Sequence, residues 1–380
     1  MRIAFTITEL NVGGAEKALT ELAIGLKDRG HELHVFSIGS RPESPKDSLV
    51  RRMERRSIPI SFGGFDKPWE VFGAKRWLKG CLQQHARQGN PIAVVQSFLF
   101  HANCLGVVAA RAARIPICVG GLRVAEQNRL RLWLERRATR QMTHLVSVSR
   151  GVERFAQREL AVPPERSSVI PNGVSIDRWA DASAVKWTEL NWPAESQVVL
   201  FVGRLHPQKG LELIQHEAQG ILQADPRRRI LLIGDGPLRA GLQRWASETD
   251  SGRIRILPWQ SDVAPYLRAA SLCVLPSHYE GMPNVILEAM AAGSPVVCSR
   301  VEGSEELLGP PGQSRADRQS FPIGDAAMMS SKINALLDNP DQRRAIGAEN
   351  QSFVRAGFTY DAMVSRYEDL YAKLLRESSC

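Results

Sequence analysis

Short apolar runs alternate with longer amphipathic stretches along almost the whole chain. The runs Arg2–Thr8, Glu32–Gly39, Ile58–Phe62, Ile92–Ser97, Ile117–Leu122 and Leu145–Ser149 read as buried strands, each followed by a helical pattern. A second series follows: Val198–Gly203, Ile230–Gly234, Arg253–Leu257 and Leu272–Leu275. Such alternation predicts open, mostly parallel sheets covered by helices, whose ligands bind at the carboxyl ends of the strands. At 380 residues the chain is too long for one ordinary core, so two domains are expected. The polar, weakly patterned run Ala180–Ser196 reads as a linker, and Pro171-Asn172-Gly173-Val174 as the turn that leads to it. The boundaries follow as residues 1–180, 181–358 and a terminal amphipathic helix in 359–380.

The most informative stretch is S-H-Y-E-G-M-P-N-V-I-L-E-A-M-A-A-G-S-P-V-V, residues 277–297. It predicts a tight loop carrying Glu280-Gly281, then a helix with Pro283 at its first position that Gly293 ends. The amides of Gly281, Met282, Asn284 and Val285 should converge where the helix dipole is positive, which makes an anion site. Glu280 and Glu288 frame that site with negative charge, an arrangement suited to a ligand whose hydroxyls flank its phosphates.

Two more loops bear chemistry. Arg204 and Lys209 lie in G-R-L-H-P-Q-K-G after the strand that ends at Gly203, and two cations there suit a departing diphosphate. Gly13 and Gly14, in E-L-N-V-G-G-A-E-K, sit at a strand-to-helix junction where a missing Cβ lets a ligand approach the backbone. The third glycine of the dinucleotide fingerprint is missing, since Lys17 and Ala18 follow, so nicotinamide binding is not supported.

The string E-G-M-P-N-V-I-L-E-A-M-A-A-G-S-P-V-V resembles the E-x(7)-E signature of glycosyltransferase family 4, retaining enzymes of the GT-B fold. The resemblance implies an α/β protein of two Rossmann-like domains facing each other across a cleft, with the C-terminal helix crossing back to the first. It implies that Glu280 touches the donor sugar and Glu288 the ribose, and that the G-R-x(4)-K-G element, Gly203 to Gly210, neutralises the nucleotide diphosphate. Gly281, Met282, Pro283, Asn284 and Val285 join the donor site, as does Gly234 of the G-D-G-P loop. The N-terminal glycine loop would face the diphosphate through Gly14 and the acceptor through Gly13, with Asn172 on the acceptor side. His101 lies where many members carry a histidine that touches the donor sugar, although Gln96 and Phe98 stand where relatives often have histidines. His101 either takes over that role or merely sits at the start of its helix. Trp259 either flanks the base or belongs to the core.

What the resemblance implies is transfer of a sugar from a nucleotide diphosphate, most often a uridine one, to a hydroxyl of a glycolipid or polysaccharide precursor, with retention. No two aspartates are separated by one residue, so a D-x-D metal clamp is absent and Arg204, Lys209 and helix amides must meet the leaving charge; neither metal nor cofactor is expected. A retaining hydrolase would need two carboxylates about 5 Å apart, one of them a nucleophile, whereas Glu280 and Glu288 read as hydroxyl binders. Two rivals stay open: a nucleotide-sugar epimerase of similar fold, and a non-catalytic partner in polysaccharide assembly.

Composition adds charge asymmetry. Residues 1–180 hold 28 Lys+Arg against 16 Asp+Glu, or +12, while the remainder holds 21 against 24, or −3. The first half therefore suits an acidic partner such as an anionic membrane surface or a phosphorylated acceptor, or else carries solvated arginine. No nucleic-acid motif accompanies the charge. Between Arg123 and Arg140 six arginines crowd a helix whose Leu130, Trp133 and Leu134 share one face. That face suits anionic lipid, but a core face is the more economical reading.

The strand that begins at Arg2 leaves no room for a signal peptide, and six cysteines without a C-x-x-C pair read as reduced core residues, so a cytoplasmic protein is expected, at most peripheral on the inner face of the membrane. Gln88–Ala110 lacks charged side chains other than histidine, but it splits into a strand and a helix and reads as buried core. The Pro/Gly/Arg-rich segment Gly309–Ser320 reads as a mobile loop.

Overall fold

The computed structural model describes residues 1–87, 91–126 and 128–378. Among them two sheets form, and every strand pair within each is parallel. The first holds β1 (Arg2–Ile7), β2 (Glu32–Ser37), β3 (Ile60–Phe62), β4 (Val94–Phe98), β5 (Ile117–Leu122), β6 (His144–Ser147) and β7 (Ser167–Val169) in the order β3-β2-β1-β4-β5-β6-β7. The second holds β8 (Gln197–Val202), β9 (Arg228–Ile233), β10 (Ile254–Leu257), β11 (Leu272–Leu275), β12 (Val296–Ser299) and β13 (Ser320–Phe321) in the order β10-β9-β8-β11-β12-β13. Each order reverses at one point, between β1 and β4 and between β8 and β11. The loops leaving the carboxyl ends of those four strands are where a ligand of such a sheet is received.

Two compact units carry these sheets: Met1–Gly173 with Tyr360–Cys380, and Val174–Thr359. The division falls after Gly173, ahead of the expected residue 180, because Val174 bridges to Thr359 and the helix Ile176–Ala180 packs on the helix Asn284–Ala291. Nor is Ala180–Ser196 an open linker. Trp187 and Trp192 are buried with ring centroids 6.2 Å apart, and the Trp192 indole donates to the Gly252 carbonyl at 2.7 Å. Two large aromatics outweigh the polar residues around them.

In the first unit the helix Tyr360–Ser378 closes the core. Met363, Val364, Tyr367, Tyr371 and Leu374 are buried against Ile3, Phe5, Leu22 and Leu26, and Tyr371 donates to Gln96 Oε1 at 3.0 Å. Gly25 lets this helix approach, since a Cβ there would lie 2.5 Å from Val364 Cγ2.

Residues 88–90 of the apolar segment Gln88–Ala110 lie outside the described residues; the rest contains β4 and most of the helix Phe100–Ala112. Among the described residues no helix is long and apolar enough to cross a membrane. Five cysteines are free thiols, and Cys380 lies outside the described residues.

Two further expectations need correction. Ser314–Gln319 is a short helix, tied down by Arg315 and Arg318 on Glu349 and by buried Gln319, which bonds Asn350 and the Val296 amide. The core-face reading of Leu130, Trp133 and Leu134 also fails, because all three are exposed. The helix Arg129–Thr139 instead turns Glu135, Ala138 and Thr139 inward; small side chains let it sit close to the helix Phe100–Ala112.

Candidate functional site

In the second unit the loops after β8 and β11 are laced together. The His278 amide donates to the Gln208 carbonyl at 2.8 Å, and Gln208 Nε2 donates to the Tyr279 carbonyl at 2.9 Å. Gly210, which follows the turn Pro207–Lys209, has a φ of +63°, and a Cβ on it would lie 2.0 Å from the Pro276 carbonyl oxygen. Only glycine combines that conformation with that contact. The consequence falls on the preceding side chain: Lys209 Nζ lies 2.5 Å from Glu280 Oε1. Both are largely buried, and Ser277 donates to the same carboxylate oxygen at 2.7 Å. The Ser277 carbonyl is in turn held by the Ser299 hydroxyl at 2.5 Å, so two strand ends fix the carboxylate.

Gly281, Met282 and Pro283 are buried beside this pair, and the helix runs Asn284–Ala291. Pro283 is its cap residue and not its first helical position, with φ −77° and ψ 92°, so Asn284 carries the first helical amide. Gly293, at φ +75°, follows the helix's end as expected. Glu288 is half-buried on the helix. Gly303 braces the loop from behind: at φ +79°, its missing Cβ would sit 2.5 Å from the Gly281 carbonyl.

Arg204 is exposed on the loop after β8. Its neighbours explain the glycines there without a ligand. A Cβ on Gly234 would lie 1.9 Å from the Gly203 carbonyl oxygen, and one on Gly236 2.3 Å from that of Leu205. The Leu205 amide donates to the Asp235 carbonyl at 2.9 Å, while Asp235 Oδ2 accepts from the Trp259 amide at 2.9 Å. Trp259 is partly exposed, which removes the core alternative.

The first unit carries the remaining candidates around its own reversal point. Gly14 opens the helix Gly14–Asp28 and Gly13 is its cap residue. The open side of Gly13 is taken by Glu16 of the same turn, since a Cβ on Gly13 would lie 2.3 Å from Glu16 Oε2. Burial pushes the Glu16 carboxyl up to about 7, and Glu9 adds to the rise while backbone amides and Arg123 oppose it. Arg123, beyond β5, donates to Asn172 Oδ1 at 2.5 Å and lies 4.7 Å from the centre of the Phe98 ring. Asn172 is thereby buried and fixed.

His101 is exposed just past β4, its ring edge-on to Phe100 with centroids 5.0 Å apart. Partial burial and Arg131 lower its pKa, so it is a neutral imidazole near pH 7. Leu99 before it has φ +72°, a strained conformation for a branched residue at the strand-to-helix corner. Phe98 and Gln96 are fully buried.

The structure thus joins Lys209, Glu280 and Ser277 directly, and sets Gly281–Val285 beside them. It adds Ser277, Ser299, Gly303, Glu16 and Arg123, which sequence reading missed, and gives Gly210, the last residue of the G-R-x(4)-K-G element, a structural role. Among the described residues no cluster of three or more His, Cys, Asp or Glu is placed to hold a metal ion.

Residues 12–178 match the family model described as Glycosyltransferase Family 4, and residues 196–339 that described as Glycosyl transferases group 1. The UDP-Gal:alpha-D-GlcNAc-diphosphoundecaprenol alpha-1,3-galactosyltransferase of Escherichia coli is 29% identical over 74% of this chain and 76% of its own. The D-inositol 3-phosphate glycosyltransferase of Thermobispora bispora is 26% identical over 96% of this chain and 91% of its own. The lipopolysaccharide core biosynthesis glycosyltransferase LpsE of Rhizobium meliloti is 30% identical, but its match spans about half of each protein, 50% and 54%. Among solved structures, Anabaena HepE in complex with UDP-glucose superposes with a TM-score of 0.82 at 19% identity, over 98% of this chain and 100% of that one. The chain belongs to glycosyltransferase family 4 and has the GT-B fold.

Proposed function

We propose that this glycosyltransferase moves a hexosyl or N-acetylhexosaminyl group from a UDP-sugar to a hydroxyl of a glycolipid or polysaccharide precursor, with retention at the anomeric carbon and without a divalent cation. The observation that carries the reading is the Lys209–Glu280–Ser277 cluster beside Gly281–Val285. An ammonium beside helix amides suits the diphosphate as it gains charge, and Arg204 on the same loop as Lys209 is a second cation for it. Glu280 is held by two donors at one oxygen and keeps acceptor capacity at the other, which suits a sugar hydroxyl. Glu288 takes the ribose, and Gly203 and Gly234 line the donor side.

In this reaction the bond from the anomeric carbon to the phosphate oxygen breaks, and the acceptor oxygen bonds the same face of that carbon. The acceptor's proton passes to the leaving phosphate oxygen. Gly13 and Asn172, both in the first unit, belong to the acceptor side. The E. coli relative's UDP-Gal and lipid diphosphate, and the UDP-glucose bound by HepE, support the choice of donor and acceptor class. Free thiols and nucleotide-sugar chemistry suit the cytoplasm.

The test is to incubate the protein, with EDTA, with UDP-galactose, UDP-glucose or UDP-N-acetylglucosamine and a lipid-diphosphate-linked sugar, then read the product's anomeric coupling by NMR. An α-linked product with equimolar UDP is expected. A β-linked product, or a free sugar isomer formed without acceptor as an epimerase would give, contradicts the reading.

A further inference from the structure

Just beyond β5, at the carboxyl end of the first sheet, Arg123 is half-buried among partners that carry no charge. It donates to Asn172 Oδ1 at 2.5 Å, approaches the Tyr367 hydroxyl at 3.4 Å and lies 4.7 Å from the centre of the Phe98 ring. Tyr367 stays a neutral phenol, because burial pushes its pKa up. Other arginines of the unit are placed differently: Arg29 meets Asp361 and Glu368, Arg52 meets Glu21, and Arg131 meets Glu126. A cation taken part-way out of water without a carboxylate beside it costs stability. Two of its five N–H donors are engaged by Asn172 and Tyr367, and the planar fork suits the paired oxygens of a phosphate or carboxylate.

The acid coupled to this guanidinium is Glu16, which sits where it loses its charge easily. It is 7% exposed, and its side chain folds back into the space that a Cβ on Gly13 would need, 2.3 Å from Oε2. Burial holds its carboxyl at about 7, although the amides of Glu16 and Ala15 and the field of Arg123 all pull the other way. Glu9 is the other charged group that acts on it, and it adds to the rise. From the helix Tyr360–Ser378, packed along the helix Gly14–Asp28, come Tyr367 and Tyr371, both neutral through this range. Near pH 7 the Arg123 charge is therefore only partly cancelled, whereas an ionised Glu16 at higher pH cancels more of it.

We propose that Arg123 is a specificity-determining residue that holds an oxyanion of the acceptor, a phosphate ester or a carboxylate, and that Glu16 is the counter-charge competing for the same guanidinium. The inference rests on the acceptor side lying at Gly13 and Asn172, as in the proposed function. It adds a requirement to that reading: the acceptor carries negative charge close to the hydroxyl that is glycosylated. It also adds regulation, since the hold on that charge weakens as Glu16 ionises. Glu16 acts here through Arg123 and need not touch the substrate.

The experiment titrates the full chain, with UDP saturating the donor site, and reads binding by NMR. The probes are N-acetylglucosamine 1-(methyl phosphate), methyl glucuronide and the neutral methyl N-acetylglucosaminide. Each anionic probe keeps one negative charge between about pH 6 and 8, so any pH dependence belongs to the protein. At about pH 6 one of the anions should bind at least roughly tenfold more tightly than the neutral glycoside. Arg123→Gln should remove that advantage, and Arg123→Lys, which keeps the charge, should restore it to within about threefold of the parent. Between about pH 6 and 8 the parent's Kd for the anion should rise about threefold, while that of Glu16→Gln stays constant. Because Arg123 also fixes Asn172, the lysine variant and the Glu16→Gln series decide the matter if Arg123→Gln lowers the melting temperature by more than about 5 °C. Equal affinity for charged and neutral probes, an advantage that survives Arg123→Gln in a folded protein, or a pH dependence that survives Glu16→Gln overturns the proposal. A chain that takes up no UDP overturns the proposed function and this inference together, whereas one that takes up UDP but does not prefer the anion overturns the inference alone.

Discussion

Lys209 and Glu280, 71 residues apart in sequence, meet at 2.5 Å because the next residue along, Gly210, presses its backbone against Pro276. A cation and an anion are thus held side by side at the carboxyl ends of two strands that flank the point where the sheet order reverses. Each partner tunes the other: the carboxylate keeps the lysine placed, and the lysine leaves one carboxylate oxygen to accept from a ligand.

Gly210→Ala should disturb this geometry without touching a charged group. The left-handed φ of +63° and the 2.0 Å approach to Pro276 add to a cost of roughly 2–4 kcal/mol. For a unit of this size that corresponds to a fall in melting temperature of roughly 4–16 °C. Sugar transfer at a temperature where the variant is folded should fall as well. A variant with the parent's melting temperature would show that the loop has another way to pack.

Glu280→Gln separates binding from chemistry. The amide keeps an oxygen for the Ser277 hydroxyl but removes a negative charge beside the diphosphate site. UDP affinity, read by calorimetry, should rise about threefold, equivalent to ~0.6 kcal/mol, while transfer falls about 100-fold. A fall in UDP affinity would mean that the Glu280 charge does not face the diphosphate.

Glu16 should impose a measurable pH dependence. Its carboxyl is raised to about 7 by burial against Gly13, whereas an unfolded glutamate titrates near 4.5. The folded state binds the extra proton, so stability is full below about pH 4.5 and is lost as pH rises through 7, by an upper bound of roughly 3 kcal/mol. His34 and His144, each lowered to about 4 by burial, act in the opposite sense, because unfolding lets them take up protons. The difference between wild type and Glu16→Gln isolates the acid. The variant should gain stability on the parent between pH 5 and 8, approximately. Parallel melting curves across that range would place the Glu16 charge in a less buried setting.

Tyr371→Phe tests how the last helix is held to the first unit. The hydroxyl is buried and donates to Gln96 Oε1 at 3.0 Å, so its removal leaves a buried acceptor without its donor. A loss of about 1–2 kcal/mol in chemical denaturation is expected. No loss would show that Gln96 finds another donor.

The sheets were legible because buried parallel strands are continuous apolar runs; Ile117–Leu122 and Leu272–Leu275 match β5 and β11 end to end. The expected boundaries of β3 and β4 are displaced by one or two residues, as strand ends are set by pairing that a single sequence does not display. The loop of Glu280 and the stop at Gly293 were equally readable, since proline and glycine act locally. What stayed hidden depends on contacts distant in sequence. Ser277 and Ser299 are unremarkable letters until two strands bring them together. Trp187 and Trp192 look like linker residues until Gly252 accepts the indole proton of one. The helix Arg129–Thr139 has an apolar stripe, but which stripe turns inward was decided by the close approach of Ala138 and Thr139.

The most direct test of the central claim, that Lys209 meets the charge of the departing diphosphate, is the single-turnover transfer rate of Lys209→Ala with saturating UDP-sugar and acceptor. Loss of a preorganised cation at the leaving group should slow the step about 100-fold or more, or ~2.7 kcal/mol, with acceptor KM nearly unchanged. A rate within about twofold of wild type, under ~0.5 kcal/mol, would contradict it.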